Sequence, residues 1–219
     1  MVVESGPVEQ IDLINAAEPL RRADALVQLR ALEGADLRPL ADAYELTVWR
    51  DGKRNKGWAG QVVERFLGQR PNARHGADFG DWELKVVPLA FAGDGVWRLK
   101  ETMAITMITP ADLEANDFAD SHLLEKLQRI VVVARTFEGA EEAHSTVLRS
   151  AAFDLDDPDV YAAVEEDYEE VRWVVRSEGV YALTGHIGRL VQPRPKGGKG
   201  TDRMGFYARK VFVARMLGL

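Results

Sequence analysis

Residues 78–88 of the chain read Asp78-Phe79-Gly80-Asp81-Trp82-Glu83-Leu84-Lys85-Val86-Val87-Pro88. The apolar and β-branched residues of this segment predict a strand from Trp82 to Pro88. Because side chains alternate along a strand, Glu83 and Lys85 project to one face and Leu84 projects to the other. An acid and an amine on one face, with an aspartate a few residues upstream, can hold a divalent cation and polarise an attacking water.

The Glu83 and Lys85 pair has a second interpretation. Acid-x-Lys sequences occur by chance in many strands, and such a pair on an edge strand can simply be an ion pair in solvent. Residues elsewhere in the chain are therefore needed to distinguish a metal site from a surface ion pair.

The composition fits a compact enzyme without identifying one. With 219 residues, 46% of them hydrophobic, the chain is long enough to bury a core as one domain or two lobes. It contains no cysteine, which fits a reducing cytoplasm. Apolar runs such as 130–134 are too short to span a bilayer, and the N-terminus lacks the layout of a signal peptide. We therefore expect a cytoplasmic protein with no membrane partner.

Charge is unevenly distributed along the chain, although the net charge is -7. The span 189–215 holds eight basic residues and one acid, Asp202, whereas the span 154–170 holds nine acids and no base. A basic segment supplies the phosphate attraction that nucleic-acid binding requires. We expect the first span to face DNA and the second to face solvent, away from DNA.

Periodicity, proline and glycine positions predict the order of helices and strands. The predicted helices are two between about residues 16 and 46 that separate at Gly34, one from Gly57 to Leu67, one from Pro158 to about Arg176, and one from Arg209 to Leu217. The predicted strands are 82–88, 100–108, 129–135, 145–155 and 186–192, with a hairpin turn at Gly93-Asp94-Gly95 between the first two. This order predicts an α/β protein with a mixed central sheet flanked by helices and a helical N-terminal part.

Several short segments occur in the same order in one known family. They are Asp36-Leu37-Arg38-Pro39-Leu40-Ala41, Lys56-Gly57-Trp58-Ala59-Gly60, Asp78-Phe79, Glu83-Leu84-Lys85, Lys126-Leu127-Gln128-Arg129, Arg194-Pro195-Lys196 and Gly205-Phe206-Tyr207. In this combination the chain resembles the mismatch-repair endonuclease MutH and related type II restriction endonucleases that cut at GATC, which share the PD-(D/E)XK restriction-endonuclease-like fold. The resemblance implies one domain over 1–219: a helical part to about residue 54, then a catalytic core whose residues 186–219 recognise DNA.

The resemblance also implies hydrolysis of DNA phosphodiester bonds with Mg²⁺ as the cofactor. Asp78 and Glu83 would hold the metal ion together with the main-chain carbonyl of Leu84, since Mg²⁺ prefers oxygen ligands. Lys85 would hold or deprotonate the attacking water and offset charge that develops on the scissile phosphate.

Two further catalytic residues are carried over from the family. Glu64 matches a helix glutamate that supports the metal site, but by itself it can equally be a surface acid paired with Arg65 or Lys56. Lys126 matches a lysine near the catalytic cleft, but a lysine on the solvent side of an amphipathic turn is the ordinary case. Both are expected to lie at the active site only because of the resemblance.

Recognition of double-stranded DNA is assigned to the C-terminal basic segment. Arg194 matches an arginine that reads a base edge, where a guanidinium can bond two acceptors on guanine. Lys196 is expected to contact a phosphate, which positions the DNA without specifying its sequence. Tyr207 matches a tyrosine that contacts the recognition sequence, although it can also be a half-buried packing residue, and Arg209 is taken as a further DNA contact.

The chain departs from the family at three places. Only three residues separate Phe79 from Glu83, fewer than in MutH, so Asp81 is an alternative to Asp78 as the metal-binding aspartate. The segment 197–204 is also shorter than in MutH, and Ala104 stands where MutH has an aromatic DNA contact. Recognition of GATC is therefore not implied.

Three functions are compatible with these residues. The first is a type II restriction endonuclease, which the surroundings of Lys100-Glu101-Thr102 favour. The second is a mismatch-repair nicking endonuclease that needs a repair protein as partner. The third is an inactive reader of DNA sequence or methylation. One PD-(D/E)XK centre cuts one strand, so cleavage of both strands would require a homodimer on DNA or two sequential events.

Overall fold

A computed structural model describes residues 20–69, 79–197 and 203–219 of the chain. Its helices are α1 (Arg22–Ala31), α2 (Leu37–Ala43), α3 (Trp58–Phe66), α4 (Pro110–Ala115), α5 (His122–Leu127), α6 (Pro158–Glu178) and α7 (Lys210–Leu217). Its strands are β1 (Trp49–Arg50), β2 (Lys53–Arg54), β3 (Glu83–Phe91), β4 (Trp97–Leu99), β5 (Met103–Met107), β6 (Arg129–Phe137), β7 (Val147–Asp154), β8 (Val191–Pro195) and β9 (Met204–Ala208). Within the described residues, no helix is long and apolar enough to cross a membrane.

Two sheets of three or more strands carry the fold, and β1 and β2 form a separate two-stranded sheet. The larger one has the order β4-β3-β6-β7, with β3 parallel to β6 and the other pairs antiparallel. The smaller sheet is antiparallel, with the order β5-β9-β8. The α/β class with a mixed central sheet, predicted from the sequence, is therefore confirmed.

Both faces of the larger sheet are buried. Leu84, Val131 and Val133 face a cluster formed with α1, α2 and α3. Their neighbours along the strands, among them Val87 and Val132, face a second cluster that includes α5, α6, α7 and the smaller sheet. The alternation predicted for β3 is thus present, and it places Glu83 and Lys85 on the opposite face from Leu84.

Two predicted strands differ from the structure. The turn at Gly93-Asp94-Gly95 joins β3 to the short strand β4 and not to a strand over 100–108. The Lys100 amide donates the last hydrogen bond to β3, at the Pro88 carbonyl, and the chain then leaves this sheet. The span 100–108 contributes β5 to the smaller sheet instead.

The strand predicted over 186–192 begins only at Val191. The Asp167 carboxylate on α6 accepts hydrogen bonds from the amides of Arg189, Leu190 and Val191 at 2.6, 2.7 and 2.7 Å. Gly188, at a φ of 76°, turns the chain just before them. These amides are satisfied by a side chain rather than by a neighbouring strand, so the residues before Val191 form a loop.

The same contacts correct the expectation for the acidic span 154–170. Asp167 is only 2% exposed, and Asp154 pairs with Arg22. Asp157 caps α6 and pairs with Arg215. Three of the acids in this span therefore hold the fold together instead of only facing solvent.

Asp36 links the start of α2 to β7 and gives a testable pH dependence. Its carboxylate accepts hydrogen bonds from the amides of Arg38 and Ser145 and contacts His144 Nδ1 at 2.8 Å. Partial burial raises the pKa of Asp36, but these hydrogen bonds and the His144 charge outweigh it, so the pKa lies below its ordinary value. Because its pKa is lower in the folded state, the ionised Asp36 carboxylate stabilises the fold at pH values above the unfolded-state pKa of about 3.9. This contribution is lost as the pH falls through the folded-state pKa.

We therefore expect Asp36→Asn to lower the unfolding free energy by about 1 kcal/mol at pH 7. The difference from the wild type should narrow as the pH falls below about 4, because the wild-type carboxyl then becomes protonated as well. Urea unfolding between neutral and acid pH measures this difference. Asp42→Asn, at an exposed position of α2, is the matched control, and a difference that stays constant with pH would contradict the assignment.

Candidate active site

Glu83, at the start of β3, lies between two lysines that come from different elements. Lys85 Nζ donates to Glu83 Oε1 at 2.5 Å. Lys126 Nζ, from α5, donates to Glu83 Oε2 at 2.9 Å. α5 ends two residues before β6 begins, and Glu83 pairs with Ile130 of that strand, which is why Lys126 reaches the carboxylate.

The surroundings of Glu83 exclude a simple ion pair in solvent. Glu83 is 2% exposed, and the side chain of Lys126 is 14% exposed. Burial raises the pKa of Glu83, but the charges and hydrogen bonds of Lys85 and Lys126 outweigh it, and the pKa lies below its ordinary value. The carboxylate is therefore ionised at neutral pH, which is the state that coordinates a divalent cation.

Glu64 faces the same cavity as Glu83 and Lys85. This cavity, of about 380 Å³, is lined by all three side chains and by Leu84. α3 buries Trp58, Ala59, Val62 and Val63 against the core, which leaves the partly buried Glu64 on the side of the cavity. The structure thus brings together four residues that the sequence comparison had assigned to the catalytic centre, counting Lys126.

The two candidate metal-binding aspartates are Asp78 and Asp81. Asp78 lies outside the described residues, and its role stays a prediction. Asp81 is exposed, pairs with Arg129 and lines a different cleft beside Arg22. Asp81 is not among the residues that line the Glu83 cavity, and Asp78 stays our proposed metal-binding aspartate.

Phe79 anchors the segment that precedes β3. Its ring stacks on Trp82 at a centroid distance of 4.1 Å, and both rings are buried.

Over the ranges 20–69, 79–197 and 203–219, no group of three His, Asp or Glu side chains is placed to hold a metal ion. Glu64 and Glu83, which line the cavity, carry carboxylates, and these are the donors that a hard divalent cation prefers.

The predicted DNA-binding residues Arg194, Lys196 and Tyr207 lie on the hairpin of β8 and β9. Arg194 is exposed and pairs with Gly205, while Tyr207 is half-buried opposite Gln192. Burial raises the pKa of Tyr207 more than the nearby Arg194 lowers it, so its hydroxyl stays protonated and can donate a hydrogen bond.

Lys196 connects this hairpin to the cavity. Burial lowers its pKa, the positive charge of Lys85 lowers it further, and Glu83 opposes the shift. Lys196 is therefore close enough to the catalytic residues to sense both charges.

Arg209 has a different environment from the other three. Its guanidinium donates to the carbonyls of Gly185, Ile187 and Gly188 at 2.9 to 3.1 Å. It holds the loop that precedes β8, and a guanidinium engaged in this way has little capacity left for DNA. We do not include Arg209 in the proposed DNA-binding set.

One wall of the cavity was not predicted from the sequence. This wall contains Arg54, Lys100, Arg135, Phe137 and Glu142. Glu142 is 1% exposed; its Oε2 accepts from Trp58 Nε1 at 2.9 Å and lies 3.4 Å from Arg54. Its Oε1 lies 2.8 Å from Arg135 Nη1, an ion-pair contact that is not aligned as a hydrogen bond. The only sequence signal was a basic residue, Arg135, at the end of an apolar strand.

Proteins named MutH are similar to this chain in sequence. A family described as "DNA mismatch repair enzyme MutH" matches residues 67–159. A protein named "DNA mismatch repair protein MutH" from Shewanella sp. (strain MR-7) is 28% identical over 218 residues, covering 91% of this chain and 95% of the relative. A protein of the same name from Vibrio cholerae serotype O1 (strain M66-2) is 26% identical over 217 residues, covering 91% and 96%.

One solved structure is also similar in part. It is described as "Restriction endonuclease MvaI-cognate DNA substrate complex" and covers 86% of this chain and 95% of its own, with a TM-score of 0.34 and 12% sequence identity. A similarity at this level adds nothing to the assignment. The sequence matches confirm the resemblance seen in the motifs: the chain is similar to proteins named MutH over about nine-tenths of its length.

Proposed function

We propose that this protein is a sequence-specific endonuclease that hydrolyses phosphodiester bonds in double-stranded DNA with Mg²⁺. The observation that carries the proposal is the buried, ionised Glu83 held between Lys85 and Lys126, in a cavity shared with Glu64. Ionised carboxylates beside lysines are the groups that metal-assisted hydrolysis of a phosphodiester needs. The proposed compartment is the cytoplasm.

The metal ion would be held by Asp78, Glu83 and the main-chain carbonyl of Leu84, with Glu64 supporting the site. When bound, it would polarise the scissile phosphate and lower the pKa of the attacking water. The protein contributes oxygen donors in a cavity that is also lined by basic side chains, among them Lys56, Lys85 and Lys100.

Lys85 and Lys126 have separate proposed roles around Glu83. Lys85 lies on the same face of β3 as Glu83, so its amine can hold the attacking water or stabilise negative charge on the phosphate. Lys126 approaches from the other carboxylate oxygen and keeps Glu83 ionised and oriented. Each lysine therefore acts on one side of the same carboxylate.

The β8–β9 hairpin would recognise the DNA sequence. Arg194 is exposed and can read a base edge with its two donors. Tyr207 can donate from its protonated hydroxyl, and Lys196 can bind a phosphate next to the catalytic cavity. This hairpin, within the span 186–219, is the proposed DNA-recognition part of a single domain over 1–219.

Two biological roles fit this activity. A type II restriction endonuclease is our first proposal, acting as a homodimer on DNA or in two sequential cuts. A mismatch-repair nicking endonuclease is the second, because the similar curated proteins quoted above carry the name of that repair protein. The second role would require a mismatch-repair protein as partner.

Incubation of the purified protein with adenine-methylated and unmethylated plasmid in Mg²⁺, followed by sequencing of the ends, tests the proposal. Double-strand ends at one sequence support restriction, and single nicks that a mismatch-repair partner stimulates support repair. The Lys85→Ala variant controls for contaminating nuclease, because the DNA ends produced by the wild type should be absent when this variant is used. Binding to DNA in Ca²⁺ with no product in Mg²⁺, in every methylation state, would overturn the nuclease and favour an inactive DNA reader.

A further inference from the structure

Phe137, the last residue of β6, holds two cations at the wall of the catalytic cavity. Lys100 Nζ lies 4.1 Å from the centre of its ring, and the Arg54 guanidinium carbon lies 5.8 Å from it. All three residues line the cavity that contains Glu64 and Glu83. An aromatic face attracts cations, so the ring fixes charges that come from two separate elements of the fold.

The carboxylates near this wall leave part of its positive charge unbalanced. Glu142 is shared by Arg54, at 3.4 Å, and Arg135, at 2.8 Å. In the portion of the chain that the structure describes, no carboxylate lies within 4.0 Å of Lys100 Nζ, and its contact is with the Phe137 ring. Glu101 also lines the cavity, so the three basic side chains Arg54, Lys100 and Arg135 face two carboxylates, Glu101 and Glu142. An anion from outside the protein would complete this wall.

We propose that Lys100 and Arg54, placed by Phe137, bind a backbone phosphate of the DNA strand beside the phosphate that is cut. The ammonium of Lys100 supplies a point charge, and the guanidinium of Arg54 supplies directed donors, both of which suit a phosphodiester. The contact lies in the same cavity as Glu83 and Lys85. It positions the strand and reads no base. This inference rests on the proposed nuclease function.

The dependence of DNA binding on salt tests the phosphate contact directly. Fluorescence anisotropy with a labelled duplex, in Ca²⁺ so that binding is measured without cleavage, gives Kd across a series of salt concentrations. Each phosphate neutralised by a cation contributes about 0.9 to the slope of log affinity against log salt. Lys100→Met, which keeps the length of the side chain, should reduce this slope by about one and weaken binding equally for specific and random duplexes.

Three variants separate a phosphate contact from a general loss of charge or fold. Lys100→Arg should keep the wild-type slope, because it keeps the charge. Phe137→Leu removes no charge but should weaken binding about threefold, because the two cations lose the ring that places them. Arg30→Ala removes an exposed charge beside β7, at the far edge of the larger sheet, and should leave the slope unchanged.

The wild-type titration distinguishes the two possible failures. If the wild type binds and cuts DNA while a folded Lys100→Met has the wild-type slope, the phosphate site is overturned and the nuclease stands. If the wild type does not bind DNA, the nuclease proposal is overturned together with this site. A melting temperature for each variant identifies any that has failed to fold, and Lys100→Arg then decides the matter on its own, because a slope lower than that of the wild type would overturn the site.

Discussion

The Glu83→Gln variant is expected to cut DNA about 1,000-fold more slowly than the wild type, which corresponds to about 4 kcal/mol of lost transition-state stabilisation. Glutamine keeps the shape of the side chain but removes the negative charge that sits between Lys85 and Lys126. The cavity then loses its buried ionised carboxylate, and the two ammonium groups repel a divalent cation. Single-turnover cleavage of a duplex that contains the recognition site measures the rate.

The matched control for Glu83 is Glu165→Gln, at an exposed position of α6. It removes the same charge by the same chemical change, and its rate should stay within about twofold of the wild type. Glu83→Gln should still bind DNA, because Arg54, Lys100 and the β8–β9 hairpin are unchanged. A cleavage rate within tenfold of the wild type would show that Glu83 is a structural ion pair rather than a metal ligand.

The Glu142→Ala variant is expected to lose about 3 to 5 kcal/mol of unfolding free energy, because removing one partner of a buried ion pair leaves the other charge uncompensated. Arg135 is 5% exposed, and its guanidinium carbon also lies 5.2 Å from the centre of the Trp58 ring. The Trp58 indole N–H loses its acceptor at the same time. Urea unfolding gives this loss as a lower midpoint.

Glu141→Ala is a close control, since Glu141 is the exposed neighbour and its hydrogen bond to Trp49 uses the main-chain carbonyl. Its unfolding free energy should stay within about 0.5 kcal/mol of the wild type. The Glu142→Gln side chain can still accept a hydrogen bond from Trp58, so its unfolding free energy should lie between those of Glu141→Ala and Glu142→Ala. A loss below about 1 kcal/mol in Glu142→Ala would mean that Arg135 reaches water without its partner.

Local signals explain why most elements were predicted from the sequence. α6 begins at Pro158 after the capping carboxylate of Asp157 and ends before Gly179, which adopts a φ of 89°. α3 ends before Gly68, at a φ of 78°. Proline, a capping side chain and a glycine in the left-handed region act within one turn of the helix, so the sequence alone reveals them.

Features that depend on distant residues were not predicted. The loop before β8 is held by Asp167, more than 20 residues earlier in the chain. The wall around Glu142 joins Arg54, Trp58 and Arg135 from three separate elements. No local pattern reports such contacts. For the same reason the proposed catalytic residues were assigned through a family resemblance, and Lys126 would otherwise have been taken for a surface lysine.

The anchors at the base of the β8–β9 hairpin have a consequence for how specificity can diverge. Asp167 binds the main-chain amides of residues 189–191, and Arg209 binds the main-chain carbonyls of Gly185, Ile187 and Gly188. Every amino acid except proline supplies both groups, so exposed side chains on this hairpin can be exchanged without loosening its attachment. Gly188 is the exception, because a Cβ there would lie 1.9 Å from the Val191 carbonyl oxygen. Under the proposed role in DNA recognition, side chains of this hairpin can therefore change around a fixed glycine while the Glu83 site on the neighbouring sheet stays as it is.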